Sequence, residues 1–252
     1  MRIQVLIATM NQSSHDLLNK MNIRTAVVVG NQCEKNEIEE FKYKGNPVKW
    51  LSFHERGVGL NRNNCLMRAE AEVVAFADDD MEYLNNYEDL ITQAYLAYPD
   101  ADGILFNVKR TYKSSGDIVK PQRVRWYNCM RYGAVQFTMK LSKLRINGIY
   151  FNQCFGGGTE HSSGEDSLFL AECIKKRLKI YAIPVEIGIL NYTRESTWFK
   201  GYNKKYFADK GIFYKALSPK IWKLLCLQDA VRHRRLYKIH WKKAYQCMLS
   251  CE

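Results

Sequence analysis

Residues 57–80 read GVGLNRNNCLMRAEAEVVAFADDD, and this stretch decides how the first half of the chain is interpreted. A glycine turn leads into a segment that predicts a helix, because apolar side chains recur at helical spacing, namely Leu60, Cys65, Leu66 and Ala69. The run 72–77 then has the length and β-branched content of a buried strand, and three aspartates follow it directly. A helix followed at once by a buried strand is typical of a parallel α/β sheet.

The same alternation continues on both sides of this stretch. Apolar runs predict strands at 3–9, 25–30, 47–53, 103–108 and 179–184. Amphipathic segments predict helices at 15–21, 87–98 and 166–178. The second half is less regular, with a strand-like alternation at 132–141 and a short apolar run at 148–152. We therefore expect an α/β fold with a mostly parallel central sheet and helices on both faces.

The composition indicates a folded protein of one large or two small domains. The chain has 252 residues, of which 46% are hydrophobic and 25% are charged, so extended disorder is not expected. Its eight cysteines show no paired spacing typical of zinc, and a disulfide scaffold is not expected at this size. The apolar N-terminus favours a first strand over a signal peptide. A cytoplasmic protein is the expectation.

Positive charge accumulates at the end of the chain. The formal net charge is +12, and residues 216–252 carry eight Lys and Arg against Asp229 and Glu252. Apolar residues, with Trp222 and Trp241 among them, alternate with these charges and predict a basic amphipathic helical tail. Three interpretations stay open, namely a solvated terminal helix packed on the domain, an anionic membrane surface, and, least favoured, nucleic acid.

The acidic run Asp78–Asp80 lies at the predicted carboxyl end of a buried strand. In open α/β sheets, ligands bind beyond this end of the strands. Crowded carboxylates become favourable when a hard divalent cation is shared between them and a phosphate, since Mg²⁺ takes one or two carboxylates together with phosphate oxygens. The competing interpretation is an acidic turn that caps a helix.

Two further features add chemistry to this edge. Arg62 stands near the start of a helix behind a glycine turn, a combination that suits a phosphate group. Far downstream, the sequence GED at 164–166 places Asp166 at the mouth of a predicted helix. An isolated carboxylate there suits a general base, although an aspartate in this position also serves as a helix N-cap.

Together these motifs resemble glycosyltransferases of family 2, in the subgroup that builds bacterial surface polysaccharides. The motifs that carry the resemblance are LIATMNQ (6–12), GLNRNNCL (59–66), FADDD (76–80), GED (164–166) and ESTWFKGYNKKYFADKG (195–211). The resemblance implies a nucleotide-sugar-binding GT-A domain over 1–215. Its nucleotide-sugar half would span 1–110, its acceptor half 111–215, and a basic extension 216–252.

The resemblance assigns residues to the nucleotide-sugar, namely Thr9, Asn11, Asn31, Gln32, Arg62, Asp78 and Asp79. Thr9 and Asn11 would lie against the base and ribose. Asn31 and Gln32 stand where the family often has an acidic residue that reads the base, so their amides would have to replace it. Arg62 would lie near the diphosphate or the base.

The resemblance also implies a metal site and a base. Asp78, facing the ribose and the metal, and Asp80 would bind Mn²⁺ or Mg²⁺, with no third ligand assigned. Asp79 would face the sugar or the second shell of the metal. Asp166 would be the catalytic base, Glu165 would help to orient the acceptor, and Trp198 would stack on an acceptor sugar. For Trp198, packing against the sheet edge is an equal alternative.

The implied function is inverting transfer from a UDP-sugar to a hydroxyl of a saccharide acceptor, either free or lipid-linked. The expected setting is capsule, exopolysaccharide or other cell-surface glycan synthesis at the inner face of the cell membrane. A sugar nucleotidyltransferase is less favoured, because the segment after the first strand, TMNQSSHD (9–16), is not a glycine-rich phosphate loop. A non-catalytic nucleotide-sugar-binding or scaffold protein would need neither the acidic run nor a separate base.

Overall fold

The structure is a computed structural model that describes residues 1–110, 117–191 and 201–250. Its strands are β1 (Ile3–Met10), β2 (Ala26–Gln32), β3 (Glu37–Tyr43), β4 (Asn46–Phe53), β5 (Val73–Asp78), β6 (Met81–Tyr83), β7 (Gly103–Lys109), β8 (Gln122–Arg123), β9 (Phe137–Lys140) and β10 (Ile180–Leu190). Its helices are α1 (Leu17–Lys20), α2 (Val58–Arg68), α3 (Tyr87–Ala97), α4 (Leu141–Ile146), α5 (Glu165–Lys175), α6 (Lys204–Leu217), α7 (Trp222–Arg232), α8 (Arg234–Tyr237) and α9 (Trp241–Leu249).

The chain forms two compact units. The first unit comprises Met1–Gln153 and Glu165–Glu195, and the second comprises Cys154–Gly164 and Ser196–Glu252. Helix α6 therefore belongs to the second unit and runs across the domain boundary predicted after residue 215. The residues after 216 are helical, as the sequence predicts, but they share a unit with α6 and with the loop 154–164.

The first unit is built on one sheet with the strand order β3-β4-β2-β1-β5-β9-β7-β10-β6. Strand β1 lies between β2 and β5 and is parallel to both, and β2 is parallel to β4. Buried side chains form one cluster with Val5 and Ile7 of β1 and a second with Leu6, whose side chain points to the opposite face. The predicted α/β class, with both faces of the sheet covered, is confirmed.

The second half of the sheet is mixed. Strand β9 is antiparallel to both β5 and β7, and β10 is antiparallel to β6 and β8. The strand predicted at 132–141 is shorter, because Ala134–Gln136 forms a 3-10 helix before β9. The apolar run 148–152 is not a strand, and its Ile149 and Phe151 are buried in the core without sheet pairing.

The sequence did not predict β3. This strand is charged and lies at the edge of the sheet, where it pairs only with β4 and where Ile38 is 60% exposed. Its Phe41 and Tyr43 are partly buried and pack against the core, but charged residues interrupt the apolar alternation, so the sequence carries only a weak strand signal. Polar edge strands are also a common protection against pairing with other chains.

Helix α2 is fastened to the ends of β1 and β2 by one buried side chain. Asn61 is fully buried, and its amide nitrogen donates to the carbonyl oxygens of Thr9 at 3.2 Å and Gly30 at 2.8 Å. Gly30 leaves the room for this contact, since a Cβ there would overlap the Asn61 amide and stand 2.9 Å from the Cys65 sulfur. The glycine therefore fixes how closely α2 approaches the strands.

Replacing Gly30 with alanine should destabilise the first unit. Because the added methyl must displace Asn61 and break its bonds to both strands, we expect a loss of about 1–3 kcal/mol in the free energy of unfolding. Urea unfolding followed by circular dichroism measures this loss. Gly157→Ala is the matched control, because nothing lies within 4 Å of its Cβ position. Equal stability of the two variants would contradict the packing argument.

Candidate active site at the carboxyl ends of the parallel strands

Three parallel strands end together at one edge of the sheet. The register pairs Ala8 of β1 with Asp78 of β5 and Thr9 of β1 with Asn31 of β2. Strand β5 ends at Asp78, and the next two residues, Asp79 and Asp80, form the turn that leads to β6. The acidic run therefore lies where the carboxyl ends of parallel strands create a binding edge, as the sequence predicts.

A buried arginine joins the two acidic motifs. The side chain of Arg62, on α2, is 4% exposed. One terminal nitrogen, Nη2, donates to Asp78 Oδ1 at 2.8 Å. The other, Nη1, donates to Asp166 Oδ1 at 2.8 Å and to Glu165 Oε1 at 3.2 Å. The guanidinium thus holds the end of β5 and the first turn of α5 at one place, although they are far apart in the sequence.

Aromatic packing fixes this guanidinium in position. Its carbon lies 5.3 Å from the centre of the Phe151 ring, and that ring stacks on Phe169 of α5 with a centroid distance of 4.2 Å. Asn63 of α2 binds the backbone of Phe151 twice, accepting from its N–H at 2.8 Å and donating to its carbonyl at 2.9 Å. The unpaired segment 148–152 therefore forms one wall of the Arg62 site.

Burial and mutual repulsion set the protonation of this cluster. Burial alone would lower the pKa of Arg62, but the charges of its three carboxylate partners outweigh burial and raise it. Burial, and then the charge of Asp166, raise the pKa of Glu165 to about 7, although Arg62 opposes the shift. Burial also raises the pKa of Asp166, against the attraction of Arg62 and a bond from the Ala134 N–H. The cluster thus holds carboxyl groups that exchange protons closer to neutral pH than a free carboxylate does.

Asp166 is held from two sides. Its Oδ1 accepts from Arg62, and its Oδ2 accepts from the backbone N–H of Ala134 at 2.9 Å. Helix α5 begins at Glu165, so Asp166 is the second residue of the helix, and the N-cap position considered from the sequence is wrong. Both oxygens bind other elements, which fixes the orientation of the carboxyl group. The side chain is still 25% exposed.

The acidic turn is organised from the end of β1. Thr9 donates its hydroxyl to Asp79 Oδ2 at 2.6 Å and accepts from the Gln12 amide at 2.9 Å. Asp80 is partly buried, and burial, followed by the charges of Asp78 and Asp79, raises its pKa to about 6. A carboxylate that is costly to ionise beside two others is a donor that a divalent cation would stabilise.

The donor set therefore fits Mg²⁺ or Mn²⁺ bound by hard carboxylate oxygens. In residues 1–110, 117–191 and 201–250, no group of three or more His, Cys, Asp or Glu side chains could hold a metal ion by itself. The fit is to a cation that takes one or two carboxylates and completes its shell with phosphate oxygens and water. Asp78 and Asp80 are the residues that would hold it.

Asn31 and Gln32 are buried, and their side chains bond to neighbouring backbone. Asn31 is buried and exchanges two 3.0 Å bonds with the backbone of Gln12. Gln32 is also buried, and its side-chain oxygen accepts from the N–H of Gly57 at 2.7 Å. The two amides hold the loop after β1 and the start of α2, so base reading by them stays a prediction that would require these bonds to be exchanged.

Of the other two predicted site residues, Asn11 lies within the described part of the chain and Trp198 does not. Asn11 is exposed just beyond β1, with a left-handed backbone (φ 54°) and its N–H bonded to the Gln32 carbonyl. Sequence reasoning missed Gln12, Phe151 and the N–H of Ala134. Gln12 belongs to the LIATMNQ motif and could have been found there, whereas a backbone N–H carries no sequence signal.

Comparison with known proteins is consistent with this arrangement. A family model described as Glycosyl transferase family 2 matches residues 11–160. No curated protein matches the chain in sequence.

Solved structures show the same fold at low sequence identity. S. aureus TarS 1–349 superposes with a TM-score of 0.63 and 16% identity, over 99% of this chain and 91% of that one. Its complex with UDP-GlcNAc gives a TM-score of 0.65 at 15% identity, and its complex with UDP gives 0.61 at 17%, with the same coverage.

Replacing Arg62 with methionine should destabilise the protein strongly. The change leaves Asp78, Glu165 and Asp166 without their common cation, and removing one partner of a buried ion pair costs about 3–5 kcal/mol. Urea unfolding should show a smaller loss at about pH 5 than at about pH 8, because protonation relieves the uncompensated carboxylates. Arg68→Met is the control on the same helix, since Arg68 donates only to the carbonyl of Asn64 among its described contacts. A loss independent of pH would contradict this account.

Proposed function

The chain belongs to glycosyl transferase family 2, and from this membership we propose that it is an inverting glycosyltransferase that moves a sugar from a UDP-sugar to a hydroxyl group of a saccharide acceptor. One observation supports the proposal above all. Arg62 brings the acidic end of β5 and the carboxyl group of Asp166 into one site. An inverting displacement needs one group beside the leaving diphosphate and another beside the attacking hydroxyl, and these two motifs would supply them.

Two observations support a UDP-sugar as the donor substrate. TarS, whose fold the chain shares, has been crystallised with UDP-GlcNAc and with UDP. In this chain, Thr9 and the exposed Asn11 lie at the end of β1, next to the acidic turn that starts at Asp78. A nucleotide bound over these strand ends would meet Asn11 and Asp79 near the ribose and sugar, while Asn31 and Gln32 hold the loops beneath it.

The diphosphate side of the reaction is assigned to the acidic turn. Asp78 and Asp80 would hold a divalent cation, which would supply positive charge near the departing diphosphate. The chain itself orients two carboxylates of this turn, Asp78 and Asp79. Arg62 holds Asp78, and Thr9 with Gln12 holds Asp79, so the turn is fixed before any ligand arrives. Such preorganised charge is more effective than charge that must reorient during the reaction.

The acceptor side is assigned to Asp166, with Glu165 beside it. The acceptor oxygen attacks the anomeric carbon, the bond from that carbon to the diphosphate oxygen breaks, and its electron pair leaves with the diphosphate. The proton of the hydroxyl passes to a carboxylate oxygen of Asp166. A pKa raised from that of an ordinary carboxylate makes Asp166 a stronger base for this step. Arg62 and the Ala134 N–H keep its oxygens in one orientation.

The biological setting is proposed from the resemblance and from charge. We assign the enzyme to hexosyl transfer in capsule, exopolysaccharide or other cell-surface glycan synthesis, in the cytoplasm at the inner face of the membrane. A lipid-linked saccharide would present its acceptor hydroxyl at that surface. Among the described residues, no helix is long and apolar enough to cross a bilayer.

A donor panel followed by a transfer assay tests the proposal. With Mn²⁺ present, the correct UDP-sugar should raise the melting temperature of the protein by binding its folded state, and UDP should be released when a saccharide acceptor is added. Asp166→Asn should lower the transfer rate by a factor of about 100–10,000, the usual contribution of a general base, while the UDP-sugar still raises the melting temperature. Glu172→Gln, on the same helix, is the control and should keep wild-type activity.

Several outcomes of these assays would contradict the proposal. If Asp166→Asn transfers sugar at the wild-type rate, Asp166 is not the base. If the donor stabilises the protein equally with and without Mn²⁺, or if Asp80→Ala matches the wild type in both respects, the acidic turn is not a cation site. Binding of a UDP-sugar with no transfer to any saccharide would favour the non-catalytic alternative.

The pH dependence of transfer should report the coupled carboxyl pair. A protonated base cannot accept the proton of the hydroxyl, so kcat/KM should be full at high pH and fall as pH drops through the apparent pKa of the pair, which burial raises above that of an ordinary carboxylate. Glu165→Gln removes a repelling charge beside Asp166 and should move this fall to lower pH. Steady-state kinetics over a pH series measures the shift. An unchanged profile in Glu165→Gln would contradict the coupling.

A further inference from the structure

Helix α7 of the second unit is apolar on two opposite faces. One face packs into the core of that unit through Leu225, Cys226 and Ala230. On the other side, Leu224 is 61% exposed and Val231 is 43% exposed. Their spacing of seven residues is two helical turns, so they lie on one stripe, and Ile221, 40% exposed, precedes them by one turn. An ordinary surface helix has polar side chains at the centre of its outer face.

Basic side chains surround this stripe. We use the term outward face of α7 for two sets of residues. These are the apolar stripe of Ile221, Leu224 and Val231, and the exposed cations Lys220, Lys223 and Arg232. Beyond the helix, Arg234 and Arg235 are also exposed. None of these cations has an acidic partner within 4 Å among the described residues. The outward face of α7 therefore combines aliphatic side chains with uncompensated positive charge.

The acidic residues within 201–250 do not neutralise the positive charge of this segment. Residues 201–250 contain twelve Lys and Arg and only two acidic residues, Asp209 and Asp229. Lys205 pairs with Asp209 at 3.1 Å, and Lys210 pairs with Asp229 at 2.8 Å, so both carboxylates already have cationic partners within the unit. An excess of ten positive charges remains on about fifty residues, and an anionic partner would be attracted to it.

Trp222, the first residue of α7, packs against the core of the second unit, on the side of the helix away from Leu224. Trp222 is partly exposed, and the ammonium groups of Lys215 and Lys223 lie 5.8 Å and 5.6 Å from the centre of its ring. Trp222 therefore does not belong to the outward face of α7.

We propose that the outward face of α7 binds the surface of an anionic phospholipid bilayer, with Leu224 and Val231 entering the boundary between headgroups and acyl chains. Aliphatic side chains gain from removal from water and cations gain from anionic headgroups, and the two kinds of group meet on this face. The inference deepens the proposed peripheral location by naming its surface, but its physical basis is independent of the proposed chemistry.

Other occupants fit the same face less well. A nucleic acid would use the cations, but the centre of the face has no aromatic side chain for stacking, and of its uncharged side chains Gln228 alone could bond to a base. A second copy of the chain, packed about a twofold axis, would bring two identical basic rims together. Like charges that face each other across an interface oppose association. An anionic bilayer is the partner that can bind both the aliphatic stripe and the basic side chains around it.

Vesicle co-sedimentation of the full chain tests the proposal. The wild type should sediment with vesicles that contain phosphatidylglycerol, should sediment little with phosphatidylcholine alone, and should be released by high salt. The double variant Leu224→Gln with Val231→Gln should bind about tenfold more weakly, since it removes the buried apolar contacts. Arg232→Gln with Lys223→Gln should bind at least about tenfold more weakly, since each charge near the surface contributes about fivefold.

Matched controls come from exposed positions of the first unit. Leu96 and Ile146 are 75% and 82% exposed, and their double replacement with glutamine should not change vesicle binding. Lys20→Gln with Lys176→Gln is the corresponding charge control, at two exposed positions without ion pairs among the described residues. Because every changed side chain in these variants is exposed, the fold is expected to be kept, and circular dichroism checks it.

Several results would overturn the inference. In the first, the protein binds neutral and anionic vesicles equally, and in the second, the double variant at Leu224 and Val231 binds vesicles as tightly as the wild type. In the third, sedimentation velocity shows a concentration-dependent dimer of the wild type that this double variant does not form. If a short RNA or DNA duplex releases the protein from vesicles as effectively as added anionic lipid does, the face would be assigned to nucleic acid. Asp166→Asn should bind vesicles like the wild type. If transfer fails in every assay while this binding persists, the proposed function fails and the membrane face stands.

Discussion

A buried arginine with three carboxylate partners is the constraint on which the candidate site depends. Arg62 is 4% exposed, so its charge must be balanced inside the protein, and the balancing groups come from the end of β5 and the first turn of α5. Desolvating an arginine is costly, and the cost is met only when its donors find well-placed acceptors. The packing of Phe151, Phe169 and Asn63 around it can be understood as the means of holding this geometry.

The same interaction gives the site its electrostatic character. One guanidinium cannot neutralise three carboxylates, and two further aspartates lie in the adjacent turn. Burial, together with the excess negative charge, raises the pKa values of Glu165, Asp166 and Asp80. These shifts favour one chemistry at each end of the cluster, namely proton acceptance at Asp166 and cation binding at the turn. Stability alone would not require such crowding, which is why the cluster supports a catalytic interpretation.

Most of the first half of the fold followed from periodicity, because buried parallel strands and amphipathic helices leave strong patterns in the sequence. The parts that did not follow have physical reasons. Strand β3 lies at the sheet edge with two apolar residues, Phe41 and Tyr43, packed against the core, too few to give a clear alternation, and β9 is short because a 3-10 helix precedes it. The family, the α/β fold and the acidic edge could be predicted. The roles of Asn31 and Gln32 could not, because whether an amide faces a ligand or the backbone depends on loops that close around it.

The sequence by itself determined which groups are available and where along the chain they stand. It placed an acidic run after a buried strand, a cation on the preceding helix, a distant carboxylate before another helix, and basic and aliphatic residues near the end. The tertiary structure alone shows that Arg62 joins the acidic run to the distant carboxylate, that Asn31 and Gln32 bond to neighbouring backbone, and that Leu224 and Val231 point away from the core. The reason is that side-chain chemistry is local, whereas burial and ion pairing depend on which distant segments the sheet brings together.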